Sequence, residues 1–117
     1  LTYDAGQNLF FLDFSGLDVR SGDDIGRIET AVEAALVPIG HKVNAIVNYD
    51  RFSIVPELID DYIAMVKGVV DRHYHDVTRY TSSTFLRMKL GEALEKRQVA
   101  ARLSATAEQA REQLAKP

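Results

Sequence analysis

Two groups of side chains carry the types and spacing that chemistry would need. The first is the hydroxyl run Thr81, Ser82, Ser83, Thr84, flanked by Arg79 and Arg87 within VTRYTSSTFLRMKLGEAL, residues 77–94. An alternating segment precedes the hydroxyls and a helix-period apolar series follows (Phe85, Leu86, Met88, Leu90, Leu94). The free N–H groups of a helix start can hold a phosphate, and the two arginines would supply counter-charge. Phosphorylation of Ser82 or Ser83 as a switch is a second reading. Simple capping of the helix is the third, and the absence of a glycine that would bring backbone close to a phosphate favours it. The second group is Tyr49, Asp50 and Arg51 in NYDRFS, residues 48–53. Loops at the carboxyl ends of strands are where open α/β sheets bind ligands, so these residues could face Thr81 and Ser82 across a crevice. The plainer reading pairs Asp50 with Arg51 or Arg79 and packs Tyr49.

Other constellations are weaker. His73 and His75 stand at i and i+2, which do not share a helix face, and His41 is isolated, so no metal site is expected. Asp23–Asp24 and Asp60–Asp61 sit near helix starts, where the macrodipole favours them. General acid–base work needs two carboxylates on one cleft, and adjacency in sequence does not supply that. The chain carries none of the phosphate-loop, dinucleotide, nucleophile-elbow or zinc-protease motifs. No catalytic residue and no cofactor is expected.

The elements that would position these residues follow from periodicity. Residues 1–8 are polar and turn-like. Residues 9–14, LFFLDF, suit a buried strand, with 17–19 continuing it past Ser15 and Gly16. Ser21 and Asp23 are cap candidates for a helix whose apolar positions are Ile25, Ile28, Val32, Ala35, Leu36 and Ile39, ended by Pro38 and Gly40. Residues 42–48, KVNAIVN, are apolar on both faces and read as the central strand. Pro56 opens a helix with a stripe from Leu58 to Val70 and Tyr74, closed by HYHD. Tyr62, Met65 and Met88 fall at helical spacing and read as core. A strand over 77–81, a helix over 83–97, an edge strand over 99–103 and a last helix over about 107–116 complete the order, with Thr106 and Gln109 at capping-box spacing. The expectation is one α/β domain spanning 1–117, about four mostly parallel or mixed strands alternating with about four helices.

Bulk properties bound the function. At 117 residues the chain suits one core without disulfides. It has no cysteine, which removes thiol chemistry and leaves cytosol as the default compartment. The net charge of −3 is well mixed, so neither nucleic acid nor an anionic membrane is an expected partner. No apolar run approaches the roughly 20 residues that span a bilayer. The chain begins at Leu1, which reads as a piece of a longer protein.

The stretch AIVNYDRFSIVPELIDDYIAMVKGVVDRHYHDVTRYTSSTFLRMKLGEAL is similar to the C-terminal extension of bacterial acyl-CoA:acetate/3-ketoacid CoA-transferases of the propionate CoA-transferase type. VNYD, PEL, Asp61–Tyr62 and VTRYT followed by FLRMKLG carry the resemblance, which runs from about Phe14 to Leu94. Such transferases use a glutamate in a Glu-Asn-Gly motif, and this chain has none, so the resemblance implies activity in the parent protein. The element order also resembles STAS-like domains, in which a serine at a helix start after a strand is a phosphorylated switch. Ser82 or Ser83 holds a similar place, without the preceding Asp or following Gly. The resemblances together imply a STAS-like accessory domain, non-catalytic by itself, whose partners are the parent's catalytic domains or further copies of itself. The alternative they imply is a stand-alone regulatory domain that binds a protein partner under serine phosphorylation. An enzyme built on the 49–51 and 79–82 loops is a third reading, and it requires a deep pocket joining them.

Overall fold

The computed structural model describes residues 1–115. Its centre is the strand whose sequence is apolar on both faces, Val43–Asn48 (β4), where Val43, Ala45, Ile46 and Val47 are all buried. Around it lie Thr2–Asp4 (β1), Leu9–Asp13 (β2), Tyr74–Tyr80 (β6) and Leu103–Ser104 (β7), in the sheet order β1-β2-β4-β6-β7. β2, β4, β6 and β7 run parallel, and β1 is antiparallel at the edge. Four helices connect or flank them: Gly22–Leu36 (α1), Ile59–His73 (α2), Thr84–Lys96 (α3) and Ala107–Ala115 (α4). This is the mixed α/β architecture that alternating strand and helix periods predict.

The two sheet faces are covered unequally. Phe10, Leu12, Ala45, Val47 and Val77 point to one side, where they pack with α1, α2 and α3 through Val32, Leu36, Tyr62, Ile63, Leu90 and Leu94. The opposite face buries Leu9 and Ile46 against Ala110 of α4, with Phe11, Tyr80 and Leu114 partly covered. Thr78 Oγ1 donates to the Ala110 carbonyl at 3.0 Å, which satisfies that hydroxyl beneath α4, whereas the buried Oγ of Ser104 on β7 meets no partner. α1 and α2 are tied at the surface, where Arg72 Nη2 meets Glu33 Oε1 at 2.5 Å and His73 Nε2 meets Glu33 Oε2 at 2.6 Å.

Local signals set the helix ends. Ser21 accepts from Asp24 N while the Asp24 carboxylate accepts from Ser21 N, a complete capping box. The 3₁₀ turn Val37–Ile39 holds Pro38, and Gly40 stops it at φ 77°. Pro56 opens the 3₁₀ turn Pro56–Leu58 that leads into α2. Thr106 Oγ1 accepts from Gln109 N, and the Gln109 amide oxygen accepts from Ala105 N rather than from the cap residue itself. Residue 116, the expected end of the last helix, lies outside the described residues.

Five expectations are corrected. Residues 1–8 are not all turn: β1 pairs Thr2 with Phe11 and Asp4 with Leu9, and Tyr3 packs on the core. The turn needs no Asn-Gly, because Asn8 itself takes φ 52° and its side chain accepts from the Tyr3 hydroxyl at 2.7 Å. Residues 17–19 do not prolong β2. Gly16, at φ 76°, turns the chain, and Asp18–Val19 (β3) pairs instead with Ser53–Ile54 (β5) in a separate two-stranded ribbon. Tyr74, His75 and Asp76 do not close α2 but begin β6, since Tyr74 is already extended at φ −106°, ψ 132°. β7 is shorter and later than 99–103, because Arg102 takes φ 41° and breaks any strand before it. Finally, Met88 is not core, and Phe85 of the same apolar series lies in solvent beside it. They are 52% and 66% exposed, while Leu86, Leu90, Ala93 and Leu94 carry the buried face of α3.

Candidate functional site

The carboxyl ends of β4 and β6 are laced together by their own polar groups. Tyr49 N donates to Tyr80 O at 2.9 Å, Gly16 N to Asp50 O at 3.0 Å, and Thr81 N to Ser104 O at 3.0 Å. Asp50 is the hub: its Oδ1 accepts from Ser82 N at 2.7 Å, and its own N–H donates to Asn48 Oδ1 at 2.8 Å. Asn48 Nδ2 reaches Asp13 Oδ1 at 3.4 Å. Asp50 thus links the 49–52 loop to the start of α3, and pairs with neither Arg51 nor Arg79 among the described residues.

The hydroxyl run is used locally. Ser83 Oγ accepts from Leu86 N at 3.1 Å and caps α3. Buried Thr81 lends its Oγ1 to Ser83 N at 3.2 Å. Arg87 folds back to donate to the Thr81 carbonyl at 2.6 Å and to Thr84 Oγ1 at 3.3 Å. Ser82 is exposed. An anion at this helix start would therefore meet the Asp50 carboxylate, which already takes the Ser82 N–H.

Of the seven candidates, Asp50, Ser82, Ser83, Arg87 and Thr81 come together here, and Arg79 and Tyr49 do not. The register explains it. Arg79 lies opposite Val47 and shares the face of Val77, so its side chain runs under the helices while Thr78 and Tyr80 face α4. Arg79 is 1% exposed. Its Nη1 donates to the carbonyls of Ala100 and Ala101, both at 3.1 Å, and its buried Nε meets no acceptor.

Arg79 lines an interior cavity of about 30 Å³ together with Tyr49, Tyr62 and Tyr74, under an apolar wall that includes Leu12 and Val69. The Tyr49 and Tyr62 hydroxyls lie 2.8 Å apart and share a hydrogen bond. Burial pushes the Tyr62 phenol well above the usual tyrosine range, with the Tyr49 phenol beside it adding to the effect. It raises Tyr49 and Tyr74 also, and the Arg79 charge offsets part of this in each. All three phenols are neutral near pH 7. Tyr62 was legible only as a core position. The signal for the cavity is an arginine at an inward position of a strand, and which face is inward depends on sheet order.

His73 and His75 part company at the α2–β6 junction, His73 toward Glu33 and His75 to the surface. Among the described residues no three or more His, Cys, Asp or Glu side chains cluster closely enough to hold a metal, and no helix is long and apolar enough to cross a membrane. The chain matches no protein-family model, no curated protein and no solved structure.

Proposed function

We propose that this domain is an interaction module, STAS-like in kind and non-catalytic by itself, that docks on the catalytic domains of an acyl-CoA:acetate/3-ketoacid CoA-transferase and supports their assembly. The carrying observation is the exposed pair Phe85 and Met88 on neighbouring turns of α3, 66% and 52% exposed. Lys89 lies 5.7 Å over the Phe85 ring, so the patch combines apolar area with one cation. Burying two such side chains at an interface is favourable by about 1.5–3 kcal/mol each before the costs of association. The polar groups at the strand ends support the same reading, since they bind the loops to one another and to α3. The VTRYT and FLRMKLG words point to the transferase as the partner.

The test compares the full parent protein with a version lacking this segment, and with Phe85→Glu/Met88→Glu, in transferase rate and size-exclusion mass. The reading expects the deletion and the double variant both to split the assembly or lower the rate. Unchanged mass and rate in both would overturn it, as would transferase activity in this segment alone. One observation favours a second reading, a regulatory domain switched by phosphorylation: Ser82 is exposed at the start of α3, within reach of a kinase. Phosphoserine at Ser82 in protein from its native host, found by mass spectrometry, would favour it.

A further inference from the structure

The exposed side of α3 continues past Phe85 and Met88. Glu92 and Glu95 follow them at 3-4-3 spacing and are exposed too, so the four residues lie along one seam of the helix. This is the spacing with which one helix packs along another. The seam has an apolar half and an acidic half. Lys89, beside it, is turned back over the Phe85 ring at 5.7 Å. None of the ion pairs among the described residues includes Glu92 or Glu95, although Lys96 stands four residues past Glu92. Glu95 also sits in the last turn of α3, where the free carbonyls disfavour an anion. A cation from outside the chain would satisfy both carboxylates.

Gly91 gives an independent sign of a close neighbour. It stands beside the seam, three residues past Met88 and four before Glu95, in the interior of α3. Apart from proline, glycine is the least favourable residue inside a helix. Nothing within the chain calls for it. Its backbone is not left-handed, and the nearest atom an added Cβ would meet is Leu103 Cδ1 at 3.9 Å, an ordinary contact. What the missing Cβ does provide is a low point beside the seam, where the backbone of a second helix can approach.

We propose, resting on the docking of this face to the catalytic domains, that the partner's contact is a single helix lying along α3. It is apolar where it meets Phe85 and Met88, carries arginine or lysine where it meets Glu92 and Glu95, and comes close to the α3 backbone at Gly91. The apolar half supplies buried area, and the acidic half fixes which end of the partner helix goes where.

The test uses the full parent protein, with size-exclusion mass followed against protein and NaCl concentration. Glu92→Gln/Glu95→Gln, which keeps shape and helix propensity, should raise the concentration for half-assembly about tenfold and flatten its dependence on salt. Gly91→Ala should act in opposite directions on two readouts. It should raise the thermal midpoint of this chain by about 3 °C, because alanine favours the helix, and weaken assembly about fivefold, because the methyl group obstructs the approach. A glycine with no partner would give the first effect without the second. If Phe85→Glu/Met88→Glu splits the assembly while the glutamine pair or Gly91→Ala leaves it unchanged, the helix partner is overturned and the docking reading stands. If Phe85→Glu/Met88→Glu is itself silent, the docking reading falls and the helix partner with it.

Discussion

Replacing Ser83 by alanine tests which hydroxyl of the run does structural work. Ser83 sits at φ −78°, ψ 112°, outside the helix, and its Oγ accepts from Leu86 N at 3.1 Å. The residue three positions on is Leu86, which cannot return a bond, so α3 lacks the reciprocal partner that Asp24 gives Ser21. Among the described residues the hydroxyl is then the only side-chain acceptor for the first turn. Its loss costs about 1 kcal/mol, within a range of roughly 0.5–2. With an unfolding entropy of about 2.1 cal/mol/K per residue, a chain of this size should lose about 4 °C in thermal midpoint. Ser83→Gly should lose only a few tenths of a kcal/mol, because water can reach the exposed N–H groups. Ser82→Ala should stay within about 0.5 kcal/mol, because Ser82 is exposed and only its backbone N–H is engaged. Urea unfolding of the three variants, with slopes compared to confirm an unchanged denatured state, measures these differences. A neutral Ser83→Ala beside a Ser82→Ala that costs more than about 1 kcal/mol would refute the assignment of the cap.

Asp50→Ala should remove the acceptor of Ser82 N and cost about 1–3 kcal/mol, with faster hydrogen exchange at the Ser82 amide; Asp50→Asn, which keeps an oxygen, should recover most of it. On α3, Leu90→Ala should cost about 2–5 kcal/mol and Met88→Ala less than about 0.5, because one side chain is fully buried and the other is half in solvent; equal costs in urea unfolding would contradict the observed facing of the helix. Burial alone would raise the Glu33 carboxyl, yet bonds from Arg72 and His73 hold it below its ordinary value of 4.5. A depressed carboxyl stabilises the fold above its unfolded pKa and ceases to do so as pH falls through the folded one, so stability should decline below about pH 4.5. Urea midpoints across pH 3–6 should show a shallower acid decline in Glu33→Gln, and parallel curves would remove Glu33 as a contributor.

Much of this fold was legible because its signals are local. The period of 3.6 from Ile25 to Leu36 and from Ile59 to Val70, the proline and glycine around Val37–Ile39, and the serines before α1 and α3 act within one or two turns of chain, so composition and spacing alone disclose them. The two-sided apolar pattern of residues 43–47 likewise placed β4 at the centre, because only a strand covered on both faces can bury Ala45 and Ile46 together. Facing was less legible: in FLRMKL the apolar residues Phe85, Leu86, Met88 and Leu90 spread too widely around the helix to share one buried face, and packing against the sheet and α2 selects Leu86 and Leu90.

Pairing and interior polarity belonged to the tertiary structure. β1 and the β3–β5 ribbon contain two or three residues each, too few to carry a period, and they exist only because a partner strand supplies the other half of each hydrogen bond. Arg79 and the hydroxyl run are neighbours in sequence, yet a strand sends successive side chains to opposite faces, and the order of the sheet decides which face lies under the helices. That geometry separates Arg79 and Tyr49 from Ser82 and Ser83, and brings Arg79 to Tyr49 and Tyr62. The sequence by itself determined the elements and their caps. The sheet decided what the arginine would face, because a side chain's environment is set by contacts across tens of residues that no local pattern encodes.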